Sequence, residues 1–193
     1  ALESSLKLIN DYPSESLLLN IAGACYAGLE KFDIAVEFYN KAIMINPNYA
    51  KAHYNLGGAL HELGQLDESV KSYESSLLIE PDYAQAYNNL GNVFRELGQL
   101  DDSLSCYKKS IKLDPNYAEA FFSASIIFQD LGQFEDMVEY LEQVLILKPN
   151  FSEAHNYLGS ALKELGQYTK AISSYQKALE IEPNYLEVHN NLG

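Results

Sequence analysis

Apolar residues along this chain recur at intervals of three and four, which is the spacing of one face of an α-helix. Between residues 84 and 117 a first such face is formed by Tyr87, Leu90, Gly91, Phe94 and Leu97. After the segment LGQL a second face follows, formed by Leu104, Tyr107 and Ile111. Gly98 lies between the two faces, where glycine commonly follows the C-terminus of a helix. The pattern therefore predicts two helices joined by a tight turn.

The same helix pair is predicted in every stretch of 34 residues, and a fixed period of this length is typical of stacked repeats. All six prolines keep that interval, at Pro13, Pro47, Pro81, Pro115, Pro149 and Pro183. Since proline lacks an N–H and clashes with the preceding turn, each proline is expected to end a second helix. We predict a single array over residues 1–193, with complete repeats at 16–49, 50–83, 84–117, 118–151 and 152–185. Residues 1–15 are then the second helix of a partial repeat, and residues 186–193 begin a further one.

Within the repeats, position 8 is mostly glycine and position 24 mostly tyrosine, counted from the first residue of each repeat. Small side chains at a helix crossing let the two backbones approach closely, and the large ring fills the space beside them. The repeat at 118–151 departs from this rule, with Ser125 for the glycine and Leu141 for the tyrosine. Its two helices are expected to cross differently and to change the superhelical curvature; the alternative is a compensated repacking without consequence.

At these positions the chain resembles the tetratricopeptide repeat over essentially its whole length. The segments AYNNLGNVFRELGQ and HNNLG are most similar to the repeats of O-linked N-acetylglucosamine transferase and similar bacterial proteins. The resemblance implies an all-α fold, an alpha-alpha superhelix in which antiparallel helix pairs stack into a right-handed solenoid. It also implies that the first helices line a concave groove, which positions 2, 5, 6, 9, 12 and 13 face.

By that resemblance, asparagines at position 6 hold the backbone of an extended polypeptide in the groove. An amide both donates and accepts, so it pairs with a peptide unit whatever the side chain. Here the asparagine series is incomplete, because position 6 is also Ile21, Ser123 and Tyr157. The predicted peptide-binding groove consists of Tyr54, Asn55, His61, Asn88, Asn89, Asn92, Arg95, Phe122, Asn156, Tyr157, Asn190 and Asn191. The alternative is that these are merely polar residues on a solvated face.

Charge narrows the choice of partner. The chain has 13 Lys+Arg against 27 Asp+Glu, a formal net charge of −14, whereas nucleic acids and anionic membranes are bound through basic contacts. Position 5 carries no lysine, so the clamp by which some relatives hold an acidic C-terminal tail is missing. Position 13 repeats an acid, at Glu62, Glu96, Asp130 and Glu164. We therefore expect a protein or peptide partner, neutral or basic, and neither nucleic acid nor membrane.

No catalytic pattern occurs in the sequence. It has no phosphate-binding glycine loop, nucleophile elbow or metal-ligand spacing, so we predict neither enzyme activity nor a cofactor. Position 4 holds His53, His155 and His189. That regularity favours a structural role, since a catalytic histidine would rarely recur in register, whereas His61 at position 12 should face the groove. Cys25 and Cys106 fall in different repeats and are expected to be packing residues.

Two functions fit these features. The first is an interaction scaffold that binds an extended peptide or partner protein in its groove. The alternative is the substrate-recognition arm of a larger enzyme, such as a glycosyltransferase, whose catalytic domain lies outside these residues. Apolar residues such as Leu6, Ile9 and Leu192 would lack neighbours at the two ends. We expect a fragment of a longer protein, able to form end-to-end or helix-exchanged homo-oligomers and located in the cytoplasm.

Overall fold

The structure, a computed structural model, describes residue 12 and residues 15–192. In this part of the chain it has eleven α-helices and no strand. They are α1 (Ser16–Ala27), α2 (Phe32–Ile45), α3 (Ala50–Glu62), α4 (Leu66–Ile79), α5 (Ala84–Glu96), α6 (Leu100–Leu113), α7 (Ala118–Asp130), α8 (Phe134–Leu147), α9 (Ser152–Glu164), α10 (Tyr168–Ile181) and α11 (Leu186–Leu192). The helix predicted within residues 1–15 lies outside the described residues, apart from Tyr12 and Glu15.

The chain divides into two compact units, unit 1 (Ala1–Gln99) and unit 2 (Leu100–Gly193). Unit 1 holds α1 to α5, and unit 2 holds α6 to α11. Within each unit, consecutive helices pack against one another, and in unit 1 the first helices α1, α3 and α5 also adjoin directly. The single array and its repeat boundaries stay predictions.

The turn inside each helix pair is the one that the glycine pattern predicts. The Gly64 N–H donates to the His61 carbonyl at 2.8 Å, and the Gln65 N–H donates to the Leu60 carbonyl at 2.9 Å. These two bonds form a Schellman motif, which requires a left-handed residue after the helix. The residues that adopt this conformation are Gly64, Gly98, Gly132 and Gly166, with φ between 69° and 74°, and Glu30, with φ 58°. The predicted turn glycines are thus confirmed, and Glu30 takes the same conformation with a side chain attached.

The joints between helix pairs also follow the sequence. The second helices end two residues before a proline, at Ile45, Ile79, Leu113, Leu147 and Ile181. A histidine at position 4 of the next helix donates from Nε2 to the carbonyl of that proline at 2.9 Å, in the pairs His53–Pro47, His155–Pro149 and His189–Pro183. The structural role predicted for these three histidines is confirmed, because each ties the start of a first helix to the preceding joint.

In the helix pairs α1–α2 and α9–α10, the crossing depends on a glycine facing a tyrosine. A Cβ placed on Gly23 would lie 2.6 Å from the Tyr39 ring, and one on Gly159 would lie 2.6 Å from the Tyr175 ring. Both tyrosines are buried, and they occupy the space that a side chain at position 8 would need. In α7 and α8 the corresponding pair is Ser125 and Leu141, both fully buried.

Each unit has its own buried core. In unit 1 the core includes Leu19, Ala35, Tyr39, Ala42, Ala52, Leu56, Ala59 and Leu60. In unit 2 it includes Phe128, Met137, Leu141, Val144, Leu158, Leu162, Tyr175, Ala178 and Val188. The first helices α1, α3 and α5 bury one side in the core of unit 1. The packing therefore determines which side of each helix remains accessible.

Candidate functional site

Two neighbouring cavities lie along the first helices of unit 1, and Asn55 lines both. The first, of about 460 Å³, is lined by Leu17, Asn20, Ile21, Ala24, Cys25, Tyr49, Lys51 and Asn55. The second, of about 210 Å³, is lined by Ala27, Phe32, Tyr39, Tyr54, Asn55, Gly58, Ala59, Glu62, Tyr73 and Asn89. Three residues predicted for the groove, Tyr54, Asn55 and Asn89, therefore meet at the second cavity.

Asparagines on adjacent first helices of unit 1 hydrogen-bond to their neighbours. Asn55 donates from Nδ2 to Asn20 Oδ1 at 2.9 Å, and Asn89 donates from Nδ2 to the Tyr54 hydroxyl at 3.0 Å. Each bond spans 35 residues, from position 6 of one first helix to position 5 of the preceding one. Part of the hydrogen-bonding capacity expected for a ligand is thus used to join consecutive helices.

Burial separates the predicted asparagines into two groups. At position 5, Asn88 is 5% exposed and Asn156 1%, and Asn20, which is not among the predicted groove residues, is buried at 4%; Asn190 at the same position is exposed. Asn55 and Asn89 at position 6 are half-buried and so remain accessible. Among the described residues, Asn88 Oδ1 has no hydrogen-bond partner, and Asn88 Nδ2 lies 3.5 Å from Asn89 Oδ1. The buried asparagines support the accessible ones instead of facing solvent themselves.

Tyrosine rings form one wall of the second cavity. Tyr54 packs against Tyr83 with ring centroids 4.7 Å apart and against Tyr73 at 5.8 Å. Burial raises the pKa of Tyr54 and of Tyr73, and it raises the pKa of Tyr39 and of Tyr83 to about 12. Tyrosine is neutral at physiological pH, and the raised pKa extends this to alkaline pH, so the lining rings of Tyr39, Tyr54 and Tyr73 contribute aromatic faces without charge.

The edge of this face carries a histidine–carboxylate contact. His61 Nε2 lies 2.7 Å from Glu96 Oε1, again across a step of 35 residues between α3 and α5. Arg95 and Asn92 are half-buried on α5. His61 is thus engaged by its neighbour, while Tyr54, Asn55 and Asn89 surround the cavity itself.

In unit 2 the predicted residues make equivalent contacts between first helices. Both cavities described above are lined by residues of unit 1. Asn191 donates from Nδ2 to Asn156 Oδ1 at 3.0 Å. At the corresponding step between α7 and α9, Phe122 and Tyr157 form an edge-to-face ring pair with centroids 5.4 Å apart. Asn190 is exposed on α11. The 35-residue contact is therefore kept in unit 2, as an amide pair or as an aromatic pair.

Two features of the described residues bear on other functions. No group of three or more His, Cys, Asp or Glu side chains in residues 12 and 15–192 is arranged to hold a metal ion. None of the helices in that part of the chain is both long and apolar enough to cross a membrane.

Family models identify the repeats. Models described as tetratricopeptide repeat match residues 48–116, 118–151 and 140–173. A model described as TPR repeat matches residues 25–64 and 159–193, so that together the models leave unmatched only residues 1–24 and residue 117. The chain belongs to the tetratricopeptide repeat family. Similarity to the repeats of O-linked N-acetylglucosamine transferase stays a prediction, because the models identify the type of repeat and not a particular protein that contains it.

Solved structures of other proteins, one of them described as a tetratricopeptide repeat (TPR) protein, share the fold. YrrB, described as a TPR protein with an unusual peptide-binding site, matches with a TM-score of 0.80 at 20% identity, over 99% of this chain and 98% of its own. PilF of Pseudomonas aeruginosa matches with a TM-score of 0.81 at 18% identity, over 90% and 79%. MamA from Desulfovibrio magneticus RS-1 matches with a TM-score of 0.80 at 19% identity, over 88% and 96%. No curated protein sequence matches the chain. The predicted fold class, an all-α superhelix of TPR type, is confirmed.

Some residues at the cavities of this TPR chain are not among the predicted groove residues, although positions 9 and 13 are expected to face the groove. Gly58 and Glu62 line the second cavity, together with Tyr39 and Tyr73, which the sequence assigned to packing. The repeat alignment does carry a signal for Gly58, because position 9 is glycine only in the repeat at 50–83. Glu62 belongs to the series of acids at position 13. That these side chains enclose one space could not be predicted from the sequence.

Proposed function

We propose that this chain is a protein-interaction module and that unit 1 binds an extended peptide across α1, α3 and α5. The observation that carries the proposal is the pair of cavities with Asn55 between them. An extended peptide sends alternate side chains to opposite faces. Two side chains of one such peptide can enter the two cavities while the backbone between them passes Asn55.

Asn55 has the free hydrogen-bonding groups that this role needs. Among the described residues its side chain makes the single bond to Asn20, through one N–H of Nδ2. The second N–H and the Oδ1 lone pairs are left to pair with a peptide N–H and C=O. The bond to Asn20 meanwhile fixes the orientation of the amide, which lowers the conformational entropy lost when a ligand binds.

The remaining predicted groove residues take three different roles in this proposal. Asn88 and Asn156, being buried, position neighbouring side chains and do not contact the peptide. Within unit 2, the accessible predicted residues Phe122, Tyr157, Asn190 and Asn191 form a second contact region. His61, Asn92 and Arg95 flank the cavities of unit 1.

The fold of the relatives supports the same class of function. YrrB is described as having a peptide-binding site, and the TPR is a scaffold repeat and not a catalytic fold. No observation on the described residues favours the alternative of a recognition arm attached to a glycosyltransferase. A cytoplasmic location and self-association through the ends remain predictions from the sequence.

The test is a peptide-array screen of the full 193-residue chain, followed by affinity measurements on the best peptide with Asn55→Ala. Loss of one or two hydrogen bonds to the ligand should weaken binding about five- to tenfold. Ser160→Ala is the control, because it removes a side-chain hydrogen bond of unit 2, to the Tyr175 hydroxyl, at a residue outside the proposed contact regions. Both variants should lose similar stability in urea unfolding, whereas only Asn55→Ala should lose affinity. Equal affinity of Asn55→Ala and the unmodified chain would refute the assignment.

A further inference from the structure

The second cavity of unit 1 combines aromatic walls with one charged group. Its rings come from Phe32, Tyr39, Tyr54 and Tyr73, and Glu62 is the one charged residue among those that line it. No lysine, arginine or histidine is among the described residues that line the cavity, so nothing in this lining balances the Glu62 carboxylate. The cavity therefore presents aromatic faces beside a negative charge.

Glu62 also forms no ion pair with any lysine, arginine or histidine in the described part of the chain. The ion pairs found there are His61–Glu96, Lys148–Glu119 and Lys177–Glu180, and none involves Glu62. Glu62 is the last residue of α3, where the helix dipole already contributes a partial negative charge. A carboxylate at this end of a helix is unfavourable by itself, so a cation beside it would be stabilised by both the side chain and the helix terminus.

Space for a ligand group comes from Gly58. A Cβ added at Gly58 would meet only the Tyr73 hydroxyl, at 3.5 Å, which is an ordinary contact. In unit 2 the same repeat position is Ser160, whose Oγ lies 3.1 Å from the Tyr175 hydroxyl. Glycine inside a helix is about 1 kcal/mol less favourable than alanine. No close packing requires glycine at position 58, so its effect there is to leave room beside the rings.

We infer that this cavity binds the side chain of a lysine or arginine in the partner peptide, an inference that rests on the proposed function. Its volume of about 210 Å³ exceeds the roughly 150 Å³ of an engineered cavity that holds benzene. Aromatic faces attract a cation through the ring quadrupole, and Glu62 offers an opposite charge at the cavity edge. A methylene stem suits the apolar walls, and the charged end of the side chain can remain near Glu62 and solvent.

The first experiment is a positional-scanning library of twelve-residue peptides, with lysine, arginine, norleucine or glutamate fixed at each position in turn. One position should favour lysine or arginine over norleucine by about fivefold, and glutamate there should bind most weakly. Comparing the two basic residues identifies which cation the cavity prefers. Glu62→Gln should reduce the lysine-to-norleucine ratio about three- to fivefold, as expected for a partly exposed charge pair. Glu164→Gln, at the same repeat position in unit 2, is the matched control and should leave the ratio unchanged.

The second experiment fills the cavity. Gly58→Leu adds a side chain without a close contact at Cβ, so the helix should fold while the cavity closes. This variant should lose the preference for a basic residue but keep residual binding through the first cavity. Ser160→Leu makes a similar change in unit 2 and should keep the preference. Circular dichroism checks folding, and the amide resonance of Gly58 should shift on titration with the lysine peptide but much less with the norleucine peptide.

The outcomes separate the two proposals. If no peptide in the library binds, both the proposed function and this inference are wrong. If peptides bind and Asn55→Ala weakens them, but norleucine replaces lysine without loss, the inference alone is wrong. Preference for glutamate at every position, or an unchanged lysine-to-norleucine ratio in both Glu62→Gln and Gly58→Leu, would also overturn it.

Discussion

Replacing Gly159 by alanine tests the packing rule that holds the helix pairs together. The new Cβ would lie 2.6 Å from Tyr175 Cε1 and 2.7 Å from Cδ1, closer than carbon atoms in folded proteins approach. The ring has little freedom to move away, because Tyr175 is 2% exposed and its hydroxyl lies 3.1 Å from Ser160 Oγ. The substitution therefore forces α9 and α10 apart or pushes the ring from its position.

The size of the effect follows from two opposing contributions. Overpacking of a core costs about 1–3 kcal/mol, whereas glycine to alanine within a helix gains about 1 kcal/mol. Gly58→Ala isolates the second contribution, since its Cβ meets only the Tyr73 hydroxyl at 3.5 Å. Gly58→Ala should therefore stabilise the chain by about 1 kcal/mol. Gly159→Ala should be less stable than Gly58→Ala by about 1–3 kcal/mol.

The assay is urea unfolding followed by circular dichroism, with the midpoint and slope compared among variants. A double-mutant cycle with Tyr175→Leu tests the cause, because Ser125 and Leu141 are a buried side-chain pair at the same two positions in unit 2. Gly159→Ala should cost at least 1 kcal/mol less in the Tyr175→Leu background than alone. If Gly159→Ala and Gly58→Ala stabilise the chain equally, the reasoning about close packing is wrong.

Three further predictions concern single contacts. Glu30→Gly should stabilise the chain by about 1 kcal/mol in urea unfolding, because it relieves a left-handed residue at φ 58°; no gain would contradict the strain. Burial raises the pKa of Tyr39 to about 12. The contribution of the protonated Tyr39 to the free energy of unfolding is therefore complete below about pH 10. It is lost as the pH rises from about 10 towards 12, at about 1.4 kcal/mol per pH unit. Tyr39→Phe should make the alkaline loss of stability between pH 10 and 12 less steep, and an unchanged slope would exclude Tyr39 as a cause. His155→Ala should cost about 0.5–1.5 kcal/mol by removing the bond to Pro149, measured against Ser173→Ala on an exposed part of α10.

Local features of the fold could be predicted from the sequence because they depend on neighbouring residues. Helices end before Pro47 and its equivalents since proline itself blocks the next turn. Gly64 marks a turn because few other residues adopt positive φ without strain. The histidines at position 4 could be assigned a structural role from their regular recurrence, although their proline partners became visible only in the structure.

The candidate site could be predicted only in part, because its details depend on contacts between residues 35 apart. The sequence placed Asn55 and Asn89 on the correct helices, but it did not show that each amide already has a partner. It also did not show that Asn88 is buried. Gly58 is distinct at position 9 of the repeats, but the absence of a side chain becomes a cavity only when the surrounding rings are in position.

The amide and aromatic pairs between consecutive first helices limit how the repeats can be rearranged. Asn55 requires an acceptor on the helix before it, whereas Tyr157 requires the flat ring of Phe122. If the repeats that carry Asn55 and Tyr157 were exchanged, Asn55 would face the ring of Phe122. Tyr157 would then face the side-chain amide of Asn20. Within each unit, adjacent repeats are therefore matched to one another, and a chimaera built from these modules should keep such pairs together when it joins new segments.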